Sequence, residues 1–187
     1  MERSPAENIM LKATTFSAVC TIGSILLYRR FADGLWLTMA ITAGTFLYHL
    51  AMRLLVGLAV RQGLSRRVNN RARWFLVRES EEQFYRKIKI QKWKKKLPTY
   101  YPQDFSLKQH SMHELIQTMC ISELSHEVML LLSYVPLLFS VWFGAFYVFL
   151  LTSICAGAVD AVFVLVQRYN RGRLVKVVER NRKALRR

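Results

Sequence analysis

The chain has 187 residues, 52% of them apolar, and 28 Lys and Arg stand against 12 Asp and Glu for a formal net charge of +16. The apolar residues gather in long blocks with the charges between them, which excludes a soluble fold whose apolar residues recur at a period of two or about 3.6. The blocks also direct the positive charge to an anionic lipid surface and not to nucleic acid, and the stretches between them hold no zinc-finger spacing, Gly-rich phosphate loop or RNA-binding aromatic pair.

Residues 1–10 carry both signs of charge, and the apolar run after them has no convincing small-x-small cleavage site before its basic end. This predicts a retained helix, not a removed signal peptide. The first block, Leu11–Tyr28, is long enough to cross the hydrocarbon core, and its one charge, Lys12, can snorkel to the interface. Arg29, Arg30 and Asp33 mark a short turn. The second block runs from Leu35 to about Val60, and His49 and Arg53 make its last third a candidate interfacial stretch. The two blocks read as a helical hairpin.

From Arg61 to Glu127 the chain is polar and basic. Residues 61–96 read as an amphipathic helix on a lipid surface, with Phe75, Phe84, Tyr85, Ile88, Ile90 and Trp93 near headgroup depth. Pro98 and Pro102 end that run, 99–110 is a loop, and a helix begins near Ser111. The next apolar block, Val128–Val166, is too long for one span at about 1.5 Å per residue. It predicts two spans reversing near Gly144–Tyr147, with a kink at Pro136. A basic tail follows.

The expected fold class is therefore an all-α integral membrane protein with four transmembrane helices and a basic amphipathic cytoplasmic helical segment. Its parts are an N-terminal hairpin (1–60), the basic segment (61–127), a second hairpin (128–167) and a basic tail (168–187). Lys and Arg are concentrated in 61–127 and 168–187, so the positive-inside rule places both segments and both termini in the cytoplasm. Arg29 and Arg30 in the outer turn are a small violation. Cys20, Cys120 and Cys155 are odd in number and far apart, which implies neither a disulfide framework nor a metal site.

Three places can carry chemistry. Glu123 and His126 are three residues apart on one helical face, where a carboxylate can orient an imidazole that takes a proton from a hydroxyl; a satisfied interfacial pair is the structural alternative. Asp160 lies within an apolar span and needs a partner, such as His49 or Arg53, or a polar substrate. Gln167, Arg168, Tyr169, Asn170, Arg171 and Arg173 cluster where the last span ends, and Arg suits phosphate or carboxylate; simple anchoring would not require Tyr169 or Asn170. Glu79, Glu81 and Glu82 interrupt a basic helix, as a functional acid or as surface partners of Arg86 and Lys87.

These pieces together resemble the glycosyl-4,4'-diaponeurosporenoate acyltransferase family, small membrane proteins that place a fatty acyl chain on the sugar of a glycosylated carotenoid. The resemblance runs over about residues 74–173: Arg78-Glu79, Phe84-Tyr85, the IKIQKWKKKLP stretch with Trp93, Glu123-Leu-Ser-His126 and QRYNRGR at 167–173. The chain departs from the family pattern at Thr118, Ile121, Glu127 and Asp160. The resemblance implies a multi-pass protein of the bacterial cell membrane with His126 as general base, oriented by Glu123 or Glu79. Arg168 and Arg171 then hold a donor phosphate or the developing oxyanion, and Tyr169, Asn170, Asp160 and Trp93 contribute to substrate binding. It further implies no tightly bound cofactor, an acyl-CoA or acyl-carrier-protein donor, and a glycolipid acceptor in a membrane with anionic headgroups. A different lipid-modifying enzyme, a methyltransferase or reductase, and a non-enzymatic lipid-binding or assembly protein remain as alternatives.

Overall fold

The computed structural model describes residues 5–60, 62, 68–70, 72–98 and 102–186. Arg61, Arg66, Arg67 and Arg71 of the expected amphipathic helix, residues 99–101 of the expected loop, and the tail's Arg187 lie outside the described residues. Among those described, the protein is all-helical. Four helices are long and apolar enough to cross a membrane: Pro5–Phe31, Gly34–Ala59, the interrupted Met112–Phe143 and Phe146–Ala184. The chain forms two compact units, one of Met1–Leu58 with Val128–Asp160, the other of Ala59–Glu127 with Ala161–Arg187.

In the first unit, α1 (Pro5–Phe31) and α2 (Gly34–Ala59) form the expected hairpin. Thr14, Thr21 and Thr45 donate their hydroxyls to carbonyls four residues back, at 2.7–2.8 Å. Within hydrocarbon no water can take those hydroxyls, so the backbone does. In the turn, Ala32 adopts φ 53. The Leu35 N–H donates to Asp33 Oδ1 at 2.9 Å, satisfying one of the free donors at the start of α2.

The long apolar block splits as its length demands. The helix α5 (Met112–Leu132) gives way to a turn at 133–135, and α6 (Pro136–Phe143) restarts on a proline that has no N–H to donate. Gly144 at φ 68 then reverses the chain into α7 (Phe146–Ala184). Gly157 permits close packing here, since a Cβ on it would lie 3.1 Å from Tyr134 Oη. Large apolar side chains such as Phe16, Leu131, Val141, Trp142 and Tyr147 point outward. That surface would be costly in water but is solvated by lipid tails.

His49 and Arg53 are not left at an edge of this unit. His49 is buried, and Arg53 Nη2 donates to Asp160 Oδ2 at 2.5 Å and to the Ala156 carbonyl at 2.9 Å. The pair supplies the partner that a carboxylate in a span requires.

In the second unit the basic segment is helical in pieces, not one amphipathic helix. A 3-10 turn at Arg73–Phe75 precedes α3 (Glu79–Lys87), and α4 (Ile90–Trp93) leads into another 3-10 turn at Lys94–Lys96. Lys89, at φ 50, separates α3 from α4. The break has a packing consequence. On a continuous helix Tyr85 and Ile90 would lie about 140° apart, yet both enter one buried cluster with Val166 and Tyr169 of α7. Phe75 is buried likewise, with Ile116 and Cys120. Three side chains expected at headgroup depth are thus core residues of the protein, while Phe84 is exposed. The helix α5 begins just after Ser111, whose N–H donates to Glu114 Oε2 at 2.7 Å while Ser111 Oγ accepts from the Glu114 N–H, a reciprocal cap.

Candidate functional site

The second unit is organised around Glu123, which is 0% exposed. It lies midway along α5, and α7 meets it with two arginines three residues apart, on one helical face. Arg168 Nη1 donates to Glu123 Oε1 at 2.7 Å. Arg171 donates from Nε to Oε2 at 3.0 Å and from Nη2 to Oε1 at 3.2 Å. A buried carboxylate would be strongly unfavourable alone; two charge-assisted partners compensate it.

The same guanidinium groups extend further. Arg168 Nε donates to Glu81 Oε1 at 3.1 Å, and its Nη atoms donate to the Trp74 and Leu76 carbonyls at 2.9 and 3.2 Å. Arg171 Nη1 donates to the Phe75 carbonyl. The extended segment before α3 is thereby tied to α5 and α7. Two arginines against Glu123 and Glu81 leave this network close to neutral. Its donors are engaged by the protein itself, so Arg168 and Arg171 hold the architecture in this state.

Tyr169 and Asn170, between the two arginines in sequence, form an adjacent cluster. The Tyr169 ring meets Tyr85 edge-on with centroids 5.7 Å apart. Trp93 packs against this cluster and donates from Nε1 to the Ile88 carbonyl at 3.0 Å. Asn170 Oδ1 accepts from Lys94 Nζ. The Tyr169 hydroxyl is buried with no hydrogen-bond partner among the described residues. Burial, and after it the charge of Glu81, raises the Tyr85 pKa to about 12. Burial also lowers that of Lys94, and the neighbouring Arg173 and Lys95 charges add to the effect.

His126, one turn beyond Glu123, lies parallel to the Phe163 ring, with centroids 4.8 Å apart and 12° between planes. Glu127, one of the departures from the family pattern, accepts the Trp74 indole N–H at 2.9 Å. Of the sequence-selected residues, the structure brings Glu123, Arg168 and Arg171 into direct contact. It places Tyr169, Asn170 and Trp93 in the neighbouring cluster. Glu79 sits on the exposed first turn of α3, and Asp160 belongs to the first unit with Arg53.

Sequence pattern assigns Trp74, Tyr85, Lys94 and Phe163 no role in the site. Glu81 was visible as one of three acids in a basic run, but its role depends on α3 beginning at Glu79. That turn of helix presents Glu81 to Arg168, while Glu82 pairs with Lys176.

The family model described as glycosyl-4,4'-diaponeurosporenoate acyltransferase matches residues 71–180. That stretch contains Glu123, His126, both arginines and the Tyr169 cluster. No curated protein and no solved structure matches the chain.

Proposed function

This chain belongs to the glycosyl-4,4'-diaponeurosporenoate acyltransferase family, and from that premise we propose that it moves a fatty acyl group from a thioester to a hydroxyl of a glycosylated isoprenoid or similar glycolipid at the cytoplasmic membrane surface. The family match over 71–180 carries this reading, because it covers the buried arginine–carboxylate network and His126 together. The donor is an acyl-CoA or acyl-carrier protein, and no tightly bound cofactor is required.

The proposed chemistry is direct transfer. The acceptor hydroxyl gives its proton to His126 as its oxygen attacks the thioester carbonyl carbon. The tetrahedral intermediate then expels the thiolate, which takes that proton back from the imidazolium. The ester bond forms as the thioester bond breaks, without redox change. Glu123, locked between two guanidinium groups, serves as an anchor that positions its stretch of α5, and therefore His126, against α7. Phe163 fixes the plane of the imidazole.

The experiment uses the full chain in native membranes, given a radiolabelled acyl thioester and the lipid extract of the producing cells. The expected product is a labelled ester on a glycolipid, formed only when the protein is present. Absence of any new ester would defeat the reading. In parallel reactions given a labelled sulfonium or nicotinamide cofactor in place of the thioester, label entering lipid only there would instead favour a methyltransferase or reductase.

A further inference from the structure

We infer that Lys94 and Arg173, placed around the Tyr169 ring with Lys95 beside them, form a binding site for a phosphate mono- or diester. The observation is an imbalance of charge within the second unit. Arg168 and Arg171 meet Glu81 and Glu123, and Lys176 meets Glu82. Among the described residues no carboxylate pairs with Lys94, Lys95 or Arg173.

The geometry gathers these cations. Lys94 Nζ lies 4.8 Å from the Tyr169 ring centroid, and Arg173 Cζ lies 5.8 Å from the same centroid. The ring quadrupole attracts both but neutralises neither. Lys94 donates to Asn170 Oδ1, which fixes the ammonium in place and leaves donors available. Its lowered pKa has the same origin: it is part-buried beside Arg173 and Lys95. An anion would remove that penalty.

Phosphate fits better than a carboxylate. Its several oxygens can accept from the planar guanidinium fork and from an ammonium point charge at once. An ordinary positive-inside anchor differs from this arrangement, because its lysines are solvated and independent. Here one cation is half-buried, bonded to a side chain and set against a buried aromatic ring. Assigning the phosphate to an acyl-thioester donor rests on the proposed acyl transfer; the site itself does not. A phospholipid headgroup offers the same chemistry.

The test is native mass spectrometry of the full chain in neutral detergent, with coenzyme A, phosphatidylglycerol or phosphatidylcholine added as probes. The variant is Lys94→Gln with Arg173→Gln. The control is Arg182→Gln with Lys183→Gln, an equal charge loss in the exposed end of α7. The expected result is retention of coenzyme A weakened about tenfold or more in the first variant and little changed in the control. The same selective loss for phosphatidylglycerol, with no coenzyme A retained, supports the site with a lipid headgroup as its source. Equal weakening in variant and control, or none in either, overturns the proposal. Lys94→Arg, which preserves the charge, should keep most of the binding, so a loss caused by misfolding is recognisable. Failure of this test leaves acyl transfer standing, and an absence of transfer leaves phosphate binding standing.

Discussion

Arg171 and Glu123 are 48 positions apart in sequence, and they meet through Arg171 Nε, 3.0 Å from Glu123 Oε2, and Arg171 Nη2, 2.9 Å from the same oxygen. Both side chains are almost completely buried. The pair joins α5 to α7, and the Phe75 carbonyl on the same guanidinium brings in the segment before α3.

Removing one partner of such a pair strands a buried charge, so Arg171→Ala should destabilise the second unit by about 3–5 kcal/mol. Thermal unfolding in detergent, followed by maleimide reaction of the buried Cys120 thiol with Cys20 and Cys155 replaced by Ser, reads this. Lys176→Ala breaks only the exposed pair with Glu82 and should cost no more than about 1 kcal/mol. Equal effects would show that burial is not what gives the network its weight.

Arg171→Lys keeps the charge but loses the fork that reaches Glu123 and the Phe75 carbonyl together. It should behave much more like Arg171→Ala than like the parent protein in the same unfolding assay. A near-native transition would mean that charge alone suffices.

For the proposed transfer reaction, His126→Ala should lower turnover by roughly 10²–10⁴-fold, the scale of general base catalysis, while folding and insertion persist. The measurement is label transfer at matched protein level. Near-normal turnover would remove His126 from the chemistry.

Tyr85 provides a pH prediction. Its phenol has a raised pKa of about 12 in the folded chain against an ordinary 10.0. The folded state therefore holds the proton more tightly than the unfolded state. The associated stability is present below pH 10 and is lost as pH rises from about 10 to 12. Tyr85→Phe should lose less stability than the parent across that window, read from unfolding midpoints at stepped alkaline pH.

Topology is tested separately. Reporter domains fused after Lys95 and after Arg187 should both read cytoplasmic, and one inserted near Gly144 should read external. A non-cytoplasmic signal at either of the first two positions contradicts the proposed orientation.

Much of the architecture was legible in the sequence because a bilayer makes simple demands. Apolar length, turn residues and the need to satisfy every backbone group predict four spanning helices, a reversal near Gly144–Tyr147 and a kink at Pro136, where the structure has a full break before a new helix. The chain's order of motifs was enough to bring out its resemblance to an acyltransferase family. The shared face of Glu123 and His126 follows from helical spacing, and the polar cluster of Arg168 to Arg171 from its place at the end of the last span.

Tertiary structure decided what those residues touch. Sequence periodicity places Arg168 and Arg171 on one face of a helix, but it does not say whether that face meets a substrate or a carboxylate of the same chain. Glu123, 45 and 48 positions away, answers that question by burial. Likewise, a basic stretch with interleaved aromatics reads as a surface helix until a left-handed residue at Lys89 turns Ile90 into the cluster with Tyr85 and Tyr169. Local rules follow from the geometry of one helix and its solvent, whereas long-range charge pairing depends on which helices pack together. That packing selected Glu81 over Glu79 as the partner of Arg168, and it left Lys94 and Arg173 without a carboxylate among the described residues.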